Sequence, residues 1–230
     1  METAPLGYVL EIDPTLSPCP VLPALIWAED IAPPRSATEL PAFLVDAVAR
    51  AQAVGESWIS EETRKRVRGM LRHGKYKPSG RGKPASEFLL RAALSDEFPP
   101  VSLPVDVNNA ISLASGLPGS IFDAALSGPT LRLRRGETGE AYVFNPAGQT
   151  IDLEDLLLVC RRCEDTWEPC GNPVKDSMAT KIRPETRDVV AVLYAPADEP
   201  HDEVAKWAER FASMLAKHCG AARSGYTVVG

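Results

Sequence analysis

The spacing of apolar residues changes near the middle of this chain, and this change limits the folds that it can adopt. In the first half, apolar side chains recur every three or four residues, which is typical of helices that pack along one face. From residue 130 onward, apolar and polar residues alternate over short segments, which is typical of strands. Helices are predicted over residues 38–55, 60–72, from 83, 105–115 and 202–218, and strands over residues 8–12, 21–31, 130–134, 141–144, 150–153, 156–160, 188–194 and 226–229. The pattern predicts a single α+β domain covering residues 1–230.

Length and composition set the class of protein. A chain of 230 residues with 44% hydrophobic and 24% charged residues is able to bury a core without disulfides or metals. No apolar run approaches the roughly eighteen residues that cross a membrane, so no membrane association is expected. Residues 1–11 carry Glu2 and no positive charge, unlike a secretory leader. Together with five cysteines, an odd number, this predicts a cytoplasmic protein with reduced thiols.

Positive charge is concentrated in one segment of an acidic chain. The net charge is −6, but residues 61–91 contain ten Lys or Arg and three acids, which gives +7 there and −13 elsewhere. The overall negative charge argues against general nucleic-acid binding, and no DNA partner is expected. The basic segment itself is interpreted as a candidate footprint for a phosphate backbone. The alternative is an ordinary solvated surface.

Three cysteines have a spacing that suggests metal binding. Cys160, Cys163 and Cys170 form C-x₂-C-x₆-C, whereas structural zinc needs four ligands, usually in two pairs. No fourth ligand lies at a motif spacing, so the cysteines are interpreted as small buried hydrophobes in a strand and its following loop. Neither a metal nor a cofactor is expected, although the zinc alternative stays open.

Two polar stretches are candidates for a site. Residues 105–109 place Asp106, Asn108 and Asn109 at the start of a predicted helix, where they could also serve as caps. Residues 171–181 are mostly polar, Gly or Pro and join two apolar segments, and a connection longer than a hairpin turn favours a site. The sequence contains no G-x-S-x-G, H-E-x-x-H, P-loop or G-x-G-x-x-G motif.

Both stretches carry a resemblance to a known family. Val-Asp-Val-Asn-Asn at 105–109 and Gly-Leu-Pro-Gly-Ser-Ile-Phe-Asp at 116–123 resemble the Val-Asp-Val-Thr-Asn and Gly-Gln-Pro-Leu-His-Ala-Phe-Asp motifs of the B3/B4 editing module. That module belongs to the β subunit of bacterial phenylalanyl-tRNA synthetase, and residues 170–171 fall at its Gly-rich substrate loop. The whole chain resembles the free-standing B3/B4-domain proteins more closely. The resemblance implies a layered β/β/α domain with a mixed or antiparallel sheet and flanking helices. Residues 1–75 would supply N-terminal strands and helices, and residues 76–230 the core.

The resemblance implies hydrolysis of a mischarged aminoacyl-tRNA in trans. The acceptor stem of tRNA would contact the basic segment, through Arg64, Arg68, Arg72, Lys75, Lys77, Arg81 and Lys83. The turn after Cys170 and the helix with Asn108 and Asn109 would face each other across the aminoacyl pocket. Its expected lining is Asp106, Asn108, Asn109, Gly116, Ser120, Gly171, Asn172, Lys175, Asp176 and Tyr194, with Asn108, Asn109, Ser120 and Asp176 as catalytic candidates.

Two departures from the family motif leave a second hypothesis open. The histidine of the synthetase motif falls at Ser120, and the glutamate that lines its pocket falls near Tyr194. If the chain edits, it therefore uses other groups or another substrate. The alternative is a non-catalytic module that binds tRNA, a free amino acid or a small metabolite.

Overall fold

The computed structural model describes residues 7–230; residues 1–6, on which the predicted lack of a leader partly rests, lie outside the described part. The helices are α1 (Ala42–Val54), α2 (Glu61–Leu71), α3 (Ala85–Leu94), α4 (Leu103–Ser115), α5 (Ala124–Ser127) and α6 (His201–Cys219). The strands are β1 (Val9–Ile12), β2 (Val21–Glu29), β3 (Gly119–Asp123), β4 (Thr130–Arg135), β5 (Ala141–Val143), β6 (Thr150–Asp152), β7 (Leu157–Cys163), β8 (Thr166–Gly171), β9 (Val189–Pro196) and β10 (Arg223–Val228).

The strands form two four-stranded sheets and a small hairpin. The first sheet has the order β1-β4-β7-β8 and is mixed, because β1 runs parallel to β4. The second has the order β10-β2-β9-β3 and is antiparallel throughout. Within residues 7–230, strands β5 and β6 pair only with each other. The N-terminal strands β1 and β2 thus belong to different sheets and pair with strands from far along the chain.

The second sheet is the middle layer of the domain. All eight residues of β9 are buried, so both faces of this strand are covered. Helix α6 lies against β2 and β10 through a buried stripe that includes Val204, Ala208 and Phe211. Leu131 and Leu157 of the first sheet belong to the same core. The predicted α+β class with layered β/β/α architecture is confirmed.

Four local predictions differ from the structure. Helix α1 begins at Ala42 rather than residue 38, because Pro41 occupies the N-cap. Residues 119–123 and 166–171 form β3 and β8, which the alternation pattern did not predict; Cys163 and Cys170 therefore belong to strands and not to a loop. Both unpredicted strands are short and contain Gly or Pro, and pairing with β9 and β7 specifies them.

Among residues 7–230, no helix is long and apolar enough to span a membrane.

Candidate functional site

A cavity of about 450 Å³ lies where α4, β3, the start of α3 and the segment after β8 meet. Its volume falls within the range of roughly 300–1,000 Å³ of small-molecule sites. Apolar side chains form one wall, including Phe88, Leu89, Val105, Ile121 and Ile182. Polar and charged side chains complete it, namely Arg81, Asn108, Asn109, Asn172, Lys175, Asp176 and Lys181.

Helix α4 supplies two neighbouring amides, from its second turn rather than from its first residues. Asn108 is buried, and its Nδ2 donates to the carbonyl of Gly119 at 3.3 Å. A Cβ at Gly119 would lie 2.6 Å from Asn108 Oδ1, so this close approach requires glycine. Asn109 is half-buried, and its Nδ2 donates to no residue within 7–230. Asn109 therefore has a free donor at the cavity. Asn108 Nδ2 is engaged by Gly119 and by Asn109 Oδ1, the latter at 3.5 Å, and Asn108 Oδ1 is buried without a partner among residues 7–230.

Asn172 organises the segment that follows β8. Its Oδ1 accepts hydrogen bonds from the backbone N–H groups of Val174 and Lys175, at 2.8 and 2.9 Å. Its Nδ2 donates to the hydroxyl of Tyr142, which in turn donates to the carbonyl of Lys175 at 2.6 Å. These bonds use the whole Asn172 amide, so this residue shapes the loop that carries Lys175 and Asp176.

Asp176 places a carboxyl at the cavity. Its Oδ2 accepts from the backbone N–H of Ile121 at 3.3 Å, and its Oδ1 is buried with no partner among residues 7–230. Burial raises the pKa of Asp176 to about 6, against the opposing influence of the Lys181 charge and of a backbone hydrogen bond from Ile121. A carboxyl with a pKa near neutral pH is able to take up and release a proton during a reaction.

Ser120 and Tyr194 lie beneath the cavity rather than in its lining. Their hydroxyl oxygens are 2.9 Å apart, and Ser120 Oγ also donates to the carbonyl of Asn172 at 3.3 Å. Both side chains are fully buried, and burial raises the pKa of Tyr194 well above its usual value. The side chains at the two positions where the resemblance places a histidine and a glutamate are therefore hydrogen-bonded to each other.

Three other residues expected in the pocket also lie outside its lining. The backbone of Gly171 packs so tightly that a Cβ would lie 2.5 Å from the Phe122 ring and 2.7 Å from Asp176 Oδ1. Gly116 ends α4 with a left-handed φ of 75°. Asp106 is buried and accepts a hydrogen bond from the backbone of Val101 at 3.0 Å. Of the ten expected residues, the structure brings five together at the cavity: Asn108, Asn109, Asn172, Lys175 and Asp176.

The sequence reasoning missed part of the lining. Arg81 was expected to contact tRNA phosphates as part of the basic segment, and the structure places it at the cavity. Lys181 ends the polar stretch at 171–181, so that stretch already contained the signal for it. Phe88 and Leu89 lie on α3, a helix to which the sequence reasoning assigned no site residue. Nothing local distinguishes such residues from core residues.

The predicted tRNA-binding residues differ in their ionic partners. Arg64 pairs with Glu56 at 3.2 Å and Lys75 with Glu154 at 2.8 Å, and Arg68 pairs with Glu87. Within residues 7–230, no ion pair forms at Arg72, Lys77, Arg81 or Lys83. The uncompensated positive charge is therefore concentrated towards the C-terminal end of the segment.

Hydrogen bonds hold both ends of the loop that carries Arg81. The hydroxyl of Tyr76 donates to the carbonyl of Gly82. The backbone N–H of Ala85, at the start of α3, donates to the carbonyl of Pro173 at 2.9 Å. The basic loop and the segment after β8 are thus held side by side at the cavity.

Three of the five cysteines, Cys160, Cys170 and Cys219, are buried, and Cys19 and Cys163 are half-buried. All five are free, and burial raises the pKa of Cys160 to about 12 and that of Cys170 well above its usual value. Cys163, near the β7–β8 turn, lies with its Sγ 3.2 Å from a carboxylate oxygen of Glu168. In the described part of the chain, no group of three or more His, Cys, Asp or Glu side chains is placed to hold a metal ion.

The fold and the cavity together define a layered α+β domain whose cavity, lined by apolar and polar residues, lies between a helix and a long loop. The B3/4 domain family matches residues 78–220, and the chain belongs to this family. A solved structure, an N-terminal fragment of the phenylalanyl-tRNA synthetase β subunit from Pyrococcus horikoshii, shares the fold with a TM-score of 0.50 and 10% sequence identity. The alignment covers 98% of this chain and 52% of that one, so the chain spans about half of the fragment. No curated protein matches the sequence.

Proposed function

We propose that this protein hydrolyses an aminoacyl ester of tRNA and acts in trans, on tRNA charged by another enzyme. One observation carries the proposal: a buried carboxyl and a free amide donor, Asp176 and Asn109, line one cavity in a B3/4 domain. The solved structure that shares this fold is a fragment of a tRNA synthetase subunit, which supports tRNA as the partner. The proposal places the protein in the cytoplasm, where such a substrate is made.

The chemistry requires little beyond a positioned water and a donor for the oxyanion. The ester bond of an aminoacyl-tRNA is already activated, and the neighbouring ribose hydroxyl is able to assist proton transfer. Asp176, ionised above about pH 6, would take a proton from the attacking water. Asn109 Nδ2 would donate to the oxygen that becomes negative as water adds to the carbonyl carbon. Asn108, Asn172 and Ser120 would position these two groups through the bonds described above.

The apolar wall indicates what kind of side chain the cavity accepts. Phe88, Leu89 and Ile182 present no hydrogen-bonding side-chain group. The hydroxyls of Ser120 and Tyr194 are hydrogen-bonded to each other and lie outside the cavity lining. An apolar pocket separates substrates that differ by one methylene by only about 10–200-fold. We therefore expect an apolar amino acid to be released, with modest selectivity among close relatives.

The first experiment measures deacylation of a panel of cognate and mischarged aminoacyl-tRNAs, with protein in excess of tRNA. We expect release of one or a few amino acids above the spontaneous rate. Asn109→Ala should slow that release by about 10²–10³-fold, the usual effect of losing an oxyanion donor. Asp176→Asn should slow it by about 10²–10⁴-fold, the usual contribution of a general acid or base.

A matched control tests whether charge loss alone matters. Asp165 is exposed in the β7–β8 turn, and Asp165→Asn should leave the rate unchanged. Rates equal to the spontaneous rate across the whole panel would contradict hydrolysis. Full activity in both Asn109→Ala and Asp176→Asn would contradict the assignment of these residues.

A specific observation favours a second candidate, a non-catalytic binding module. Ser120 and Tyr194 occupy the positions of the family histidine and glutamate. Their hydroxyls are hydrogen-bonded to each other, and neither residue lines the cavity. A thermal-shift screen with free amino acids and with charged and uncharged tRNA tests this candidate. A true ligand at one hundred times its dissociation constant stabilises the fold by about 2.7 kcal/mol. Strong stabilisation by a free amino acid without ester hydrolysis would favour the binding module.

A further inference from the structure

Two cations without acidic partners meet at the cavity. Arg81 extends from the loop before α3 and Lys175 from the loop after β8, and both line the cavity. Neither forms an ion pair with any of residues 7–230. Lys175 Nζ lies 3.8 Å from the centroid of the Phe144 ring, and burial and the charge of Arg81 lower its pKa. Two like charges held together in a concave site attract an anion.

The backbone segments that carry the two cations are ordered before any ligand arrives. The backbone of Lys175 is held by Asn172 and Tyr142, which bond its N–H and its carbonyl. The Arg81 loop is held by the hydroxyl of Tyr76 through Gly82. A site whose backbone is already ordered loses less conformational entropy on binding. The backbone of the anion site is therefore preformed, and the Arg81 side chain extends from it as an exposed group.

The chemistry of the proposed substrate decides which anion this is. Esterification removes the carboxylate charge of the amino acid, and its α-amino group is a cation. The nearest negative charge is the phosphodiester that joins the terminal adenosine to the preceding nucleotide. Resting on the proposed function, we propose that Arg81 and Lys175 bind this phosphodiester, so that the cavity recognises a dinucleotide ester rather than the aminoacyl group alone.

The other cations of the basic segment are less suited to this role. Arg64, Arg68 and Lys75 already pair with carboxylates, and none of the three lines the cavity. Lys181 lines the cavity but lies close enough to Asp176 to influence the pKa of that carboxyl. Lys181 likewise forms no ion pair within residues 7–230, but its charge acts on Asp176, and Arg81 and Lys175 are the cavity cations without such a carboxyl neighbour.

The test uses unreactive amides in place of esters, so that binding is measured without hydrolysis. In both probes the same aminoacyl group is joined by an amide to the 3′-amino group of a terminal adenosine. The first probe is this adenosine alone, and the second is cytidylyl-adenosine, which adds a single phosphodiester. The aminoacyl group is the one released in the deacylation panel, or phenylalanyl if none is released. We expect wild-type protein to bind the dinucleotide about 10- to 100-fold more tightly, as befits charge-assisted hydrogen bonds.

The variants locate the effect. Arg81→Gln and Lys175→Gln should each bring the ratio of the two affinities, dinucleotide over adenosine amide, close to one. Lys206→Gln is the matched control, because Lys206 is exposed on α6 and lies outside the cavity lining. It should retain the full preference. Salt should weaken binding of the dinucleotide probe more than binding of the adenosine probe.

The outcomes separate this inference from the proposed function. Equal binding of both probes, or a preference that survives both substitutions, would overturn the phosphodiester site even if esters are hydrolysed. Tighter binding of the dinucleotide, lost in both variants, would support the site even if no ester is hydrolysed. Loss of free amino-acid binding in the same variants would assign the cations to a carboxylate and overturn the inference. Binding of neither probe would also overturn it.

Discussion

The carboxyl group of Asp176 is held where water reaches it poorly. Oδ1 is buried without a partner among residues 7–230, and burial raises the pKa of the group to about 6 from an unfolded value of 3.8. The folded state therefore binds more protons than the unfolded state between these two pH values. By linkage, the ionised form destabilises the fold progressively as the pH rises through this window, and the full cost remains above about pH 6. A residue kept at such a cost is typical of a functional site.

The first prediction concerns Asp176→Asn. Because the neutral amide avoids the cost of the buried charge, we expect the variant to be more stable than wild type at about pH 7.5, by on the order of 1–3 kcal/mol. At about pH 4, where the folded wild type is protonated, the difference should vanish. Thermal unfolding followed by circular dichroism at both pH values measures this. Where deacylation occurs, its wild-type rate should rise with pH through about 6.

Asp165→Asn serves as the reference, since Asp165 is exposed and should show no such dependence on pH. A stability difference between wild type and Asp176→Asn that is the same at both pH values would show that the carboxyl is not buried as a charge.

Two loops, the helices α3 and α4 and strand β3 together build the cavity. Helix α4 fixes Asn109, the segment after β8 fixes Asp176 and Lys175, and the loop before α3 fixes Arg81. The loops remain in place through a few hydrogen bonds, such as that from the Tyr76 hydroxyl to Gly82. Loss of one such bond should therefore loosen an element without unfolding the domain.

Tyr76→Phe tests this at the level of the loop. Removal of the hydroxyl leaves the ring in place, so we expect a loss of stability of only about 0.5–1.5 kcal/mol. Amide hydrogen exchange should become faster in residues 77–83 and remain unchanged in β9. Deacylation should show a raised KM with nearly constant kcat, because Arg81 contributes to binding rather than to bond breaking.

Tyr226→Phe is the matched control, since the Tyr226 hydroxyl makes no hydrogen bond with residues 7–230. Unchanged exchange in residues 77–83 of Tyr76→Phe would mean that other contacts hold the loop.

The whole molecule combines an acidic surface with one basic segment. The net charge of −6 hides +7 in residues 61–91, and part of that positive charge is already paired with acids of the same domain. Each protein cation that neutralises a phosphate releases counterions from the nucleic acid, and a cation already paired with a carboxylate is less available to neutralise one. The affinity for tRNA should consequently depend on fewer residues than the size of the basic segment indicates.

The corresponding prediction compares two sets of substitutions. Simultaneous Gln substitution of Lys77, Arg81 and Lys83, which are unpaired within residues 7–230, should weaken tRNA binding. The slope of log affinity against log salt should become shallower by about 2–3. Arg64→Gln with Lys75→Gln, whose charges are paired, should change the slope by less than about 1. Fluorescence anisotropy over a range of KCl concentrations measures both, and an unchanged slope in the triple variant would contradict a phosphate contact.

Local patterns were sufficient for much of the fold. Apolar periodicity predicted α2, α4 and α6 close to their observed bounds. Alternating or continuous apolar residues did the same for β2, β4 and β9. Ser60 caps α2 and Gly116 ends α4, as their residue types indicate. The two polar stretches also predicted where the cavity residues Asn109 and Asp176 would be found. These features depend on residues that are close together in the chain, so one sequence contains them.

The remaining features depend on contacts between distant residues. Ser120 and Tyr194 are 74 positions apart, and only the pairing of β3 with β9 brings their hydroxyls together and closes them beneath the cavity. Strands β3 and β8 exist because partners cover them, and their own residues favour strands weakly. The placement of Arg81 beside Lys175, and the pairing of Arg64, Arg68 and Lys75 with acids, likewise follow from packing. The sequence by itself determined the elements and the chemical groups, and the tertiary structure decided which groups face the cavity, because burial and pairing are properties of the assembled layers.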